Sequence, residues 1–418
     1  MNPSFDPRRR MMIGAALTAG ATTAWSTLSL AASGNSSGRR FVLVVLRGGM
    51  DGLSAAPAIG DPDFAAARGP LGRYATPALV LDGPFALHPN LTELHAMYRR
   101  GELAVVHAVG LQYRERSHFD AQQVLESGGT RPYELTTGWL GRALGDNGAK
   151  GIALNTAVPL VLRGRAVVDT WAPSALPDPS ADLVARIGRM YERDSALAVA
   201  LERAKTLHLD GGAMGDAASA MGSSVTGSNT SSSNAVSSNS TSSNSMNANA
   251  MGSTAIGAGA MSSTAIGAAA PVASGNARGA ANFTLLARRA AEFLVLPNGP
   301  QAAVLELGGW DTHANQANPN GALAIYLRQL DNGLAALRDG LAAGDTWKRT
   351  AVVVASEFGR EVAINGTLGT DHGTGGAAFV LGGAIKGGRV VADWPGLATK
   401  DRYEGRDLRT TTDLRAVL

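Results

Sequence analysis

Four short clusters of glycine and ionisable residues follow apolar runs of β type, and this pattern limits the possible folds more than any other feature. Phe41-Val-Leu-Val-Val-Leu46 opens into Arg47-Gly-Gly-Met-Asp51-Gly. Ala302-Ala-Val-Leu-Glu-Leu307 opens into Gly308-Gly-Trp-Asp311-Thr-His313. Thr350-Ala-Val-Val-Val-Ala355 opens into Ser356-Glu357-Phe-Gly-Arg360, and Gly369-Thr-Asp371-His372-Gly comes a few residues later. In open α/β sheets the ligand crevice lies outside the carboxyl ends of the strands. Carboxylates and imidazoles gathered there are candidates for a metal-assisted reaction.

The amino terminus reads as an export signal over residues 1–31. Arg8-Arg9-Arg10 precedes Met11-Met12-Ile13 and a stretch of small and apolar residues ending in Ser29-Leu30-Ala31, a small-x-small cleavage pattern. Paired arginines before two apolar residues match a twin-arginine leader, which the export machinery reads as an address and not as an anchor. No other stretch supplies the roughly 20 apolar residues that a bilayer span needs. The sequence thus predicts a periplasmic or secreted protein without a membrane anchor once the signal is removed. The formal charge is +3, of which the leader contributes +2 through three arginines and Asp6. The nearly neutral remainder carries no basic tract, which argues against nucleic acid as a partner. The chain has no cysteine, so any metal must take oxygen and imidazole ligands.

Residues 217–277 hold no charged or aromatic side chain, and Ser-Thr-Ala-Ile-Gly-Ala occurs at both 253–258 and 263–268. Such a segment buries too little apolar surface to offset its ordering entropy, so disorder is expected across 209–278. Both flanks carry helical spacing: Leu183, Ile187, Met190 and Tyr191 on one side, Leu285, Leu286, Ala290, Phe293 and Leu294 on the other. The segment therefore reads as an insertion within one domain spanning 40–418. Further helices are predicted at Leu91–Arg99, Ser117–Glu126, Thr137–Leu144 and Gly321–Leu341. Strands are predicted at 41–46, 103–109, 158–163, 302–307, 350–355 and 378–382. Alternation of the two types predicts an α/β fold, a mainly parallel central sheet with helices on both faces. The stretch Thr411–Leu418 reads as a helix cut off after two turns.

Asp51, Asp311, His313, Glu357, Asp371 and His372 form the candidate metal set. Asp311 and His313 are two residues apart, a spacing that puts both on one side of an extended segment. Glu357 ends a valine-rich strand, where a carboxylate is costly to desolvate unless it is paired or coordinated; Arg360 is the alternative partner. A hard and borderline donor set of this kind suits zinc, manganese or magnesium, as one ion or two. Tyr113-Arg114-Glu-Arg116-Ser117-His118-Phe precedes a helical run and places Ser117 at a helix start. There the helix dipole, a nearby cation and arginines favour ionisation of a hydroxyl, although serine also caps helices without any catalytic role. Ser117 and His118 are the candidate catalytic residues, with His118 open to reading as an acid–base group, a ligand or a capping neighbour. Arg47, Arg114, Arg116 and Arg360 are candidate substrate-binding residues. His107 reads as a core residue, and Trp310 and Trp394 as walls of the cleft.

Together these motifs, with Gly382-Gly-Ala-Ile-Lys-Gly-Gly388, resemble the domain-of-unknown-function 1501 proteins of bacteria, which in turn are similar to the alkaline phosphatase and sulfatase superfamily. The resemblance implies an alkaline phosphatase-like fold. It implies Asp51, Asp311, His313, Glu357 and His372 as metal ligands and Ser117 as nucleophile. Three departures stand out. The aspartate–histidine pair has one intervening residue where the superfamily usually has three, Phe358 stands where a histidine is normal, and the cysteine that sulfatases modify is absent. The expected function is an exported metal-dependent hydrolase of phosphate or sulfate esters, acting on a small molecule or a glycan. The alternative is a non-catalytic periplasmic binding or assembly protein with a degenerate site.

Overall fold

The apolar runs at 41–46, 103–109, 302–307, 350–355 and 378–382 all form strands of one central sheet. The computed structural model describes residues 38–173, 179–206 and 276–418. The signal expected at 1–31 lies outside the described residues, as does the insertion up to residue 275. The strands are β1 (Arg40–Arg47), β2 (Leu79–Val80), β3 (Ala86–Leu87), β4 (Leu103–Gly110), β5 (Lys150–Ala153), β6 (Val167–Thr170) and β7 (Ala302–Gly308). They continue with β8 (Thr350–Ser356), β9 (Gly376–Leu381), β10 (Arg389–Val391) and β11 (Thr412–Asp413). β2 and β3 form a small hairpin; the others make a sheet in the order β10-β4-β9-β8-β1-β7-β5-β6, with β11 added to β4.

The sheet is mostly parallel. β9 runs antiparallel to both β4 and β8, and the remaining pairs are parallel. This single reversal matters for the site. The carboxyl ends of β1, β7 and β8 lie side by side, with Arg47 opposite Gly308 and Leu46 opposite Ser356. β4 ends at the same edge. Because β9 is reversed, the loop that enters it, carrying Asp371 and His372, also meets that edge.

Side chains alternate across β1. Val42, Val44 and Leu46 face a layer built by the helices Thr92–Arg99, Asn276–Val295 and Ala322–Ala342. Phe41, Leu43 and Val45 face the layer of the helices His118–Ser127 and Trp139–Asp146. A strand covered on both faces needs apolar residues at every position, which is why these runs show no period-two pattern. The architecture is α/β with helices on both faces, as the element order predicts.

Two expectations change. Residues 158–163 form a 3-10 turn at Leu160–Leu162, not a strand. Pro159 sits at its amino end, and the Arg163 carbonyl accepts from the Gly138 amide instead of entering a ladder. The segment Thr411–Leu418 is not a helix: Thr412 and Asp413 add to β4, and a 3-10 turn follows at Leu414–Ala416. Consecutive threonines favour the extended backbone that the exposed edge of β4 offers.

At the functional edge the chain relies on a glycine. Gly48 has φ +120°, and a Cβ there would lie 2.6 Å from the Asp311 amide nitrogen. Gly48→Ala is expected to cost about 1–3 kcal/mol, the penalty for a side chain forced into a glycine-only conformation. Gly308→Ala is the control, since its Cβ would meet nothing within 4 Å. Urea unfolding midpoints measure both, and equal midpoints would contradict this account of the turn.

Candidate metal centre

The loops leaving β4 and β7 and the loop joining β8 to β9 bring three imidazoles and a carboxylate to one point. Asp311 Oδ1 lies 2.9 Å from His313 Nε2, 3.1 Å from His372 Nε2 and 3.5 Å from His118 Nε2. His372 Nε2 is in turn 3.1 Å from His118 Nε2 and 3.0 Å from His313 Nε2. His118, Asp311 and His372 form a group able to hold a metal ion, their donor atoms all within 4.8 Å of one another. Donors bound at about 2.0–2.1 Å around a tetrahedral zinc stand about 3.3 Å apart, which matches these separations.

The opposite nitrogen of every ring is committed to an acceptor. His118 Nδ1 is 2.7 Å from Glu357 Oε1, His313 Nδ1 is 3.0 Å from Asp371 Oδ1, and His372 Nδ1 is 3.0 Å from the Arg116 carbonyl. Each of these acceptors requires a proton on Nδ1, and a neutral ring so held turns a bare Nε2 lone pair inward. Metal-binding histidines are held in this way by their outer partners. Lone pairs about 3 Å apart repel unless a cation or a shared proton lies between them, so the donor set fits a metal.

Glu357 and Asp371, expected as ligands, are each bonded here to a histidine Nδ1. Glu357 is fully buried: Oε1 also accepts from the Gly48 amide at 2.9 Å and Gln122 at 3.2 Å, and Oε2 lies 2.9 Å from Ser356 Oγ. Burial works to raise its carboxyl, but His118 and these donors outweigh it and hold the group low. The Asn365 amide does most to lower Asp371. For His118 the Glu357 bond dominates and raises the imidazole, whereas burial lowers His372. Burial also opposes ionisation of Asp311, yet Arg360 keeps its carboxyl below the usual range.

Asp51, expected as a ligand, is given other partners. It caps the helix Gly52–Ala55 and is buried in an ion pair with Arg68, with further bonds from Gln316 and Ser54. Nothing in the sequence marks Arg68, which has no exposed surface. Gln316 connects this network to the metal loops, because its carbonyl accepts from Thr312 at 3.1 Å and Thr370 at 2.7 Å.

The arginines mostly serve the scaffold. Arg360 is buried; it donates to the carbonyls of Gly49, Gly48, Trp310 and Thr370 and pairs with Asp311. Arg47 pairs with Glu306 and Glu126 and steadies Gln122. Arg114 donates to Thr410 and lies over the Tyr403 ring, and Arg116 pairs with Asp407 and Glu404. Ser117 is the N-cap of the helix His118–Ser127, but its side chain makes no capping bond. Phe358 is buried against the rings of His118 and His372. His107 is a core residue of β4 bonded to the Ala56 carbonyl, and burial lowers its pKa to about 4. Trp310, expected as a wall of the cleft, has no exposed surface and packs in the core, with Nε1 donating to the Leu307 carbonyl at 3.0 Å.

The chain belongs to the DUF1501 family, described as a protein of unknown function, whose model matches residues 174–417. No curated protein matches it. Among solved structures, it is similar to the C-terminal periplasmic domain of EcEptC from Escherichia coli, a complex with Zn. That match has 12% identity and a TM-score of 0.37 and covers 82% of this chain and 72% of that one. It is also similar to Ps i-CgsB in complex with k-i-k-neocarrahexaose, at 9% identity and a TM-score of 0.33, covering 84% of this chain and 68% of the other. Among the described residues, no helix is long and apolar enough to cross a membrane.

The Asp51–Arg68 pair makes stability depend on pH in a definite direction. Burial pushes the Asp51 carboxyl up, but Arg68, Ser54 and Gln316 bring it below its ordinary value. Its stabilisation is therefore complete above the unfolded value of about 3.9 and is lost as pH falls through the lower folded value. Arg68→Leu strands the carboxylate and is expected to cost about 3–5 kcal/mol at neutral pH. Urea titrations of both proteins at pH 7 and at a pH well below about 3.9 should show this deficit shrinking on acidification; a constant deficit would contradict the pairing.

Proposed function

We propose that the chain is an exported hydrolase of phosphate or sulfate esters that depends on a single metal ion. It works in an alkaline phosphatase-like domain at 40–418 carrying the insertion 209–278, and is delivered to the periplasm or beyond by the twin-arginine signal. The observation that carries this reading is the convergence of Nε2 atoms on the Asp311 carboxylate, with every ring aimed from behind. His118, Asp311 and His372 would hold the ion, with His313 beside them. Zinc suits such nitrogen-rich donors better than magnesium, which keeps oxygen ligands and water. A cation bound there supplies Lewis-acid polarisation of an ester oxygen and a lowered pKa for an adjacent hydroxyl.

The chain's own residues do the rest. Ser117 immediately precedes ligand His118, and its hydroxyl is not spent on capping. The first turn of that helix presents amide hydrogens and the positive end of the helix dipole, which orient an anionic ester against the serine. Asp311 and His313 keep 45% and 44% of their side-chain surface exposed, so the centre is open to a substrate from solvent. Arg360 fixes Asp311 and neutralises part of its charge.

Two observations favour a second reading, a binding or assembly protein that keeps one ion. Phe358 fills a position against His118 and His372 with an apolar ring, and one candidate metal group is found among the described residues.

The test uses zinc-loaded protein with 4-nitrophenyl phosphate and 4-nitrophenyl sulfate. At least one ester should be hydrolysed, a chelator should abolish turnover, and zinc should restore it. Ser117→Ala and Asp311→Asn should each reduce kcat/KM on the order of 10²-fold or more. Full activity in both variants would overturn the mechanism. One tightly bound ion without turnover of either ester would support the binding protein.

A further inference from the structure

His372 takes its orientation from a backbone carbonyl, and a carbonyl can aim a ring only if its own peptide is fixed. The peptide is that of Arg116, whose backbone has φ +56°. A side-chain-bearing residue holds this left-handed conformation only where its surroundings impose it. The Arg116 guanidinium is held by Asp407, with Nε 3.0 Å and Nη2 2.8 Å from Oδ2. The neighbouring Arg406 places Nη1 3.2 Å from the other Asp407 oxygen and donates from Nη2 to the His372 carbonyl at 2.9 Å. Asp407 itself has no exposed surface, and its backbone is locked to Tyr403 by two hydrogen bonds of 2.8 and 3.0 Å.

Two arginines thus reach His372 from opposite ends, one through the ring nitrogen and one through the backbone, and both converge on one carboxylate. We infer that Asp407 is a positioning residue for the metal centre: by clamping Arg116 and Arg406 it fixes the Arg116 carbonyl and so aims His372 Nε2 at Asp311. This inference rests on the reading of the centre as a metal site. It gives the arginine of the 113–119 motif a role distinct from substrate binding. Burial favours the neutral form of Asp407, while the two guanidinium groups favour the charged one. A carboxylate buried to this degree is costly unless it is paired, which accounts for the two cations beside it; Oδ1 has the ion pair with Arg406 but no hydrogen bond.

The experiment compares wild type with Asp407→Asn and with Arg116→Gln, which keeps the carbonyl and removes its clamp. Glu404→Gln is the control, since Glu404 is the exposed partner of Arg116. Cobalt affinity and the visible spectrum of bound cobalt report on the ligand geometry. The nitrogen-15 spectrum of histidine-labelled apoprotein, with His372 assigned by His372→Gln, reports its tautomer without metal. The expected result is a 10- to 100-fold loss of cobalt affinity in the first two variants, the range seen when outer partners of ligands are removed. The cobalt spectrum should change and His372 should lose its single Nδ1–H tautomer, while Glu404→Gln matches wild type. Folded variants with wild-type affinity, spectrum and tautomer would overturn the inference. If wild type takes up no cobalt but the tautomer still depends on Asp407, the positioning role stands and the metal reading fails.

Discussion

Imidazole rings whose Nδ1 protons are turned outward set their Nε2 lone pairs against one another unless a cation or a shared proton lies between them, and the functional edge of this protein is built around that constraint. Glu357, Asp371 and the Arg116 carbonyl each hold an Nδ1–H, leaving bare Nε2 atoms directed at Asp311. The cost of gathering these groups falls on the surroundings. Arg360 is buried to steady Asp311, Glu357 is buried to steady His118, and glycine allows the 48–51 turn to pass against the backbone of Asp311.

The sheet explains how residues more than 200 positions apart come to meet. Parallel strands deliver the ends of β1, β4, β7 and β8 to one edge, and the reversal of β9 brings His372 to it from the other direction. With strands covered on both faces, the polar groups of the chain are pushed to strand ends, where water and ligand are accessible. A scaffold of this kind anchors its site at rigid strand termini, which suits a geometry that tolerates little displacement.

Much of this was legible in the sequence for physical reasons. A buried strand needs an unbroken apolar run, so β1, β7 and β8 declared themselves, as did the polar clusters at their ends. Short strands did not: Lys150–Ala153 and Val167–Thr170 are too brief to carry a period. The apolar run at 158–163 looked like a strand because a buried 3-10 turn has the same composition. At the site, residue type pointed to side chains that the fold brings together, but not to which of them face the cluster and which stand behind a ring. A carboxylate that binds a metal and one that holds a histidine which does so are indistinguishable until the ring is seen. His118 could be read from sequence as a ligand, an acid–base group or a capping neighbour, and only the fold shows its Nε2 standing among the donors. Arg68 and Gln316 lacked any motif, since the groups that need them are far away in sequence or carry no local signature.

The most direct test is a crystal grown with zinc, with anomalous diffraction collected at the zinc edge. The account predicts one strong peak at about 2.0–2.1 Å from His118 Nε2, His372 Nε2 and Asp311 Oδ1. It also predicts that the peak is lost in His372→Ala, while Glu357 and Asp371 stay outside bonding distance. Zinc bound elsewhere with this cluster empty, or rings turned so that their Nε2 atoms no longer face one another, would contradict it.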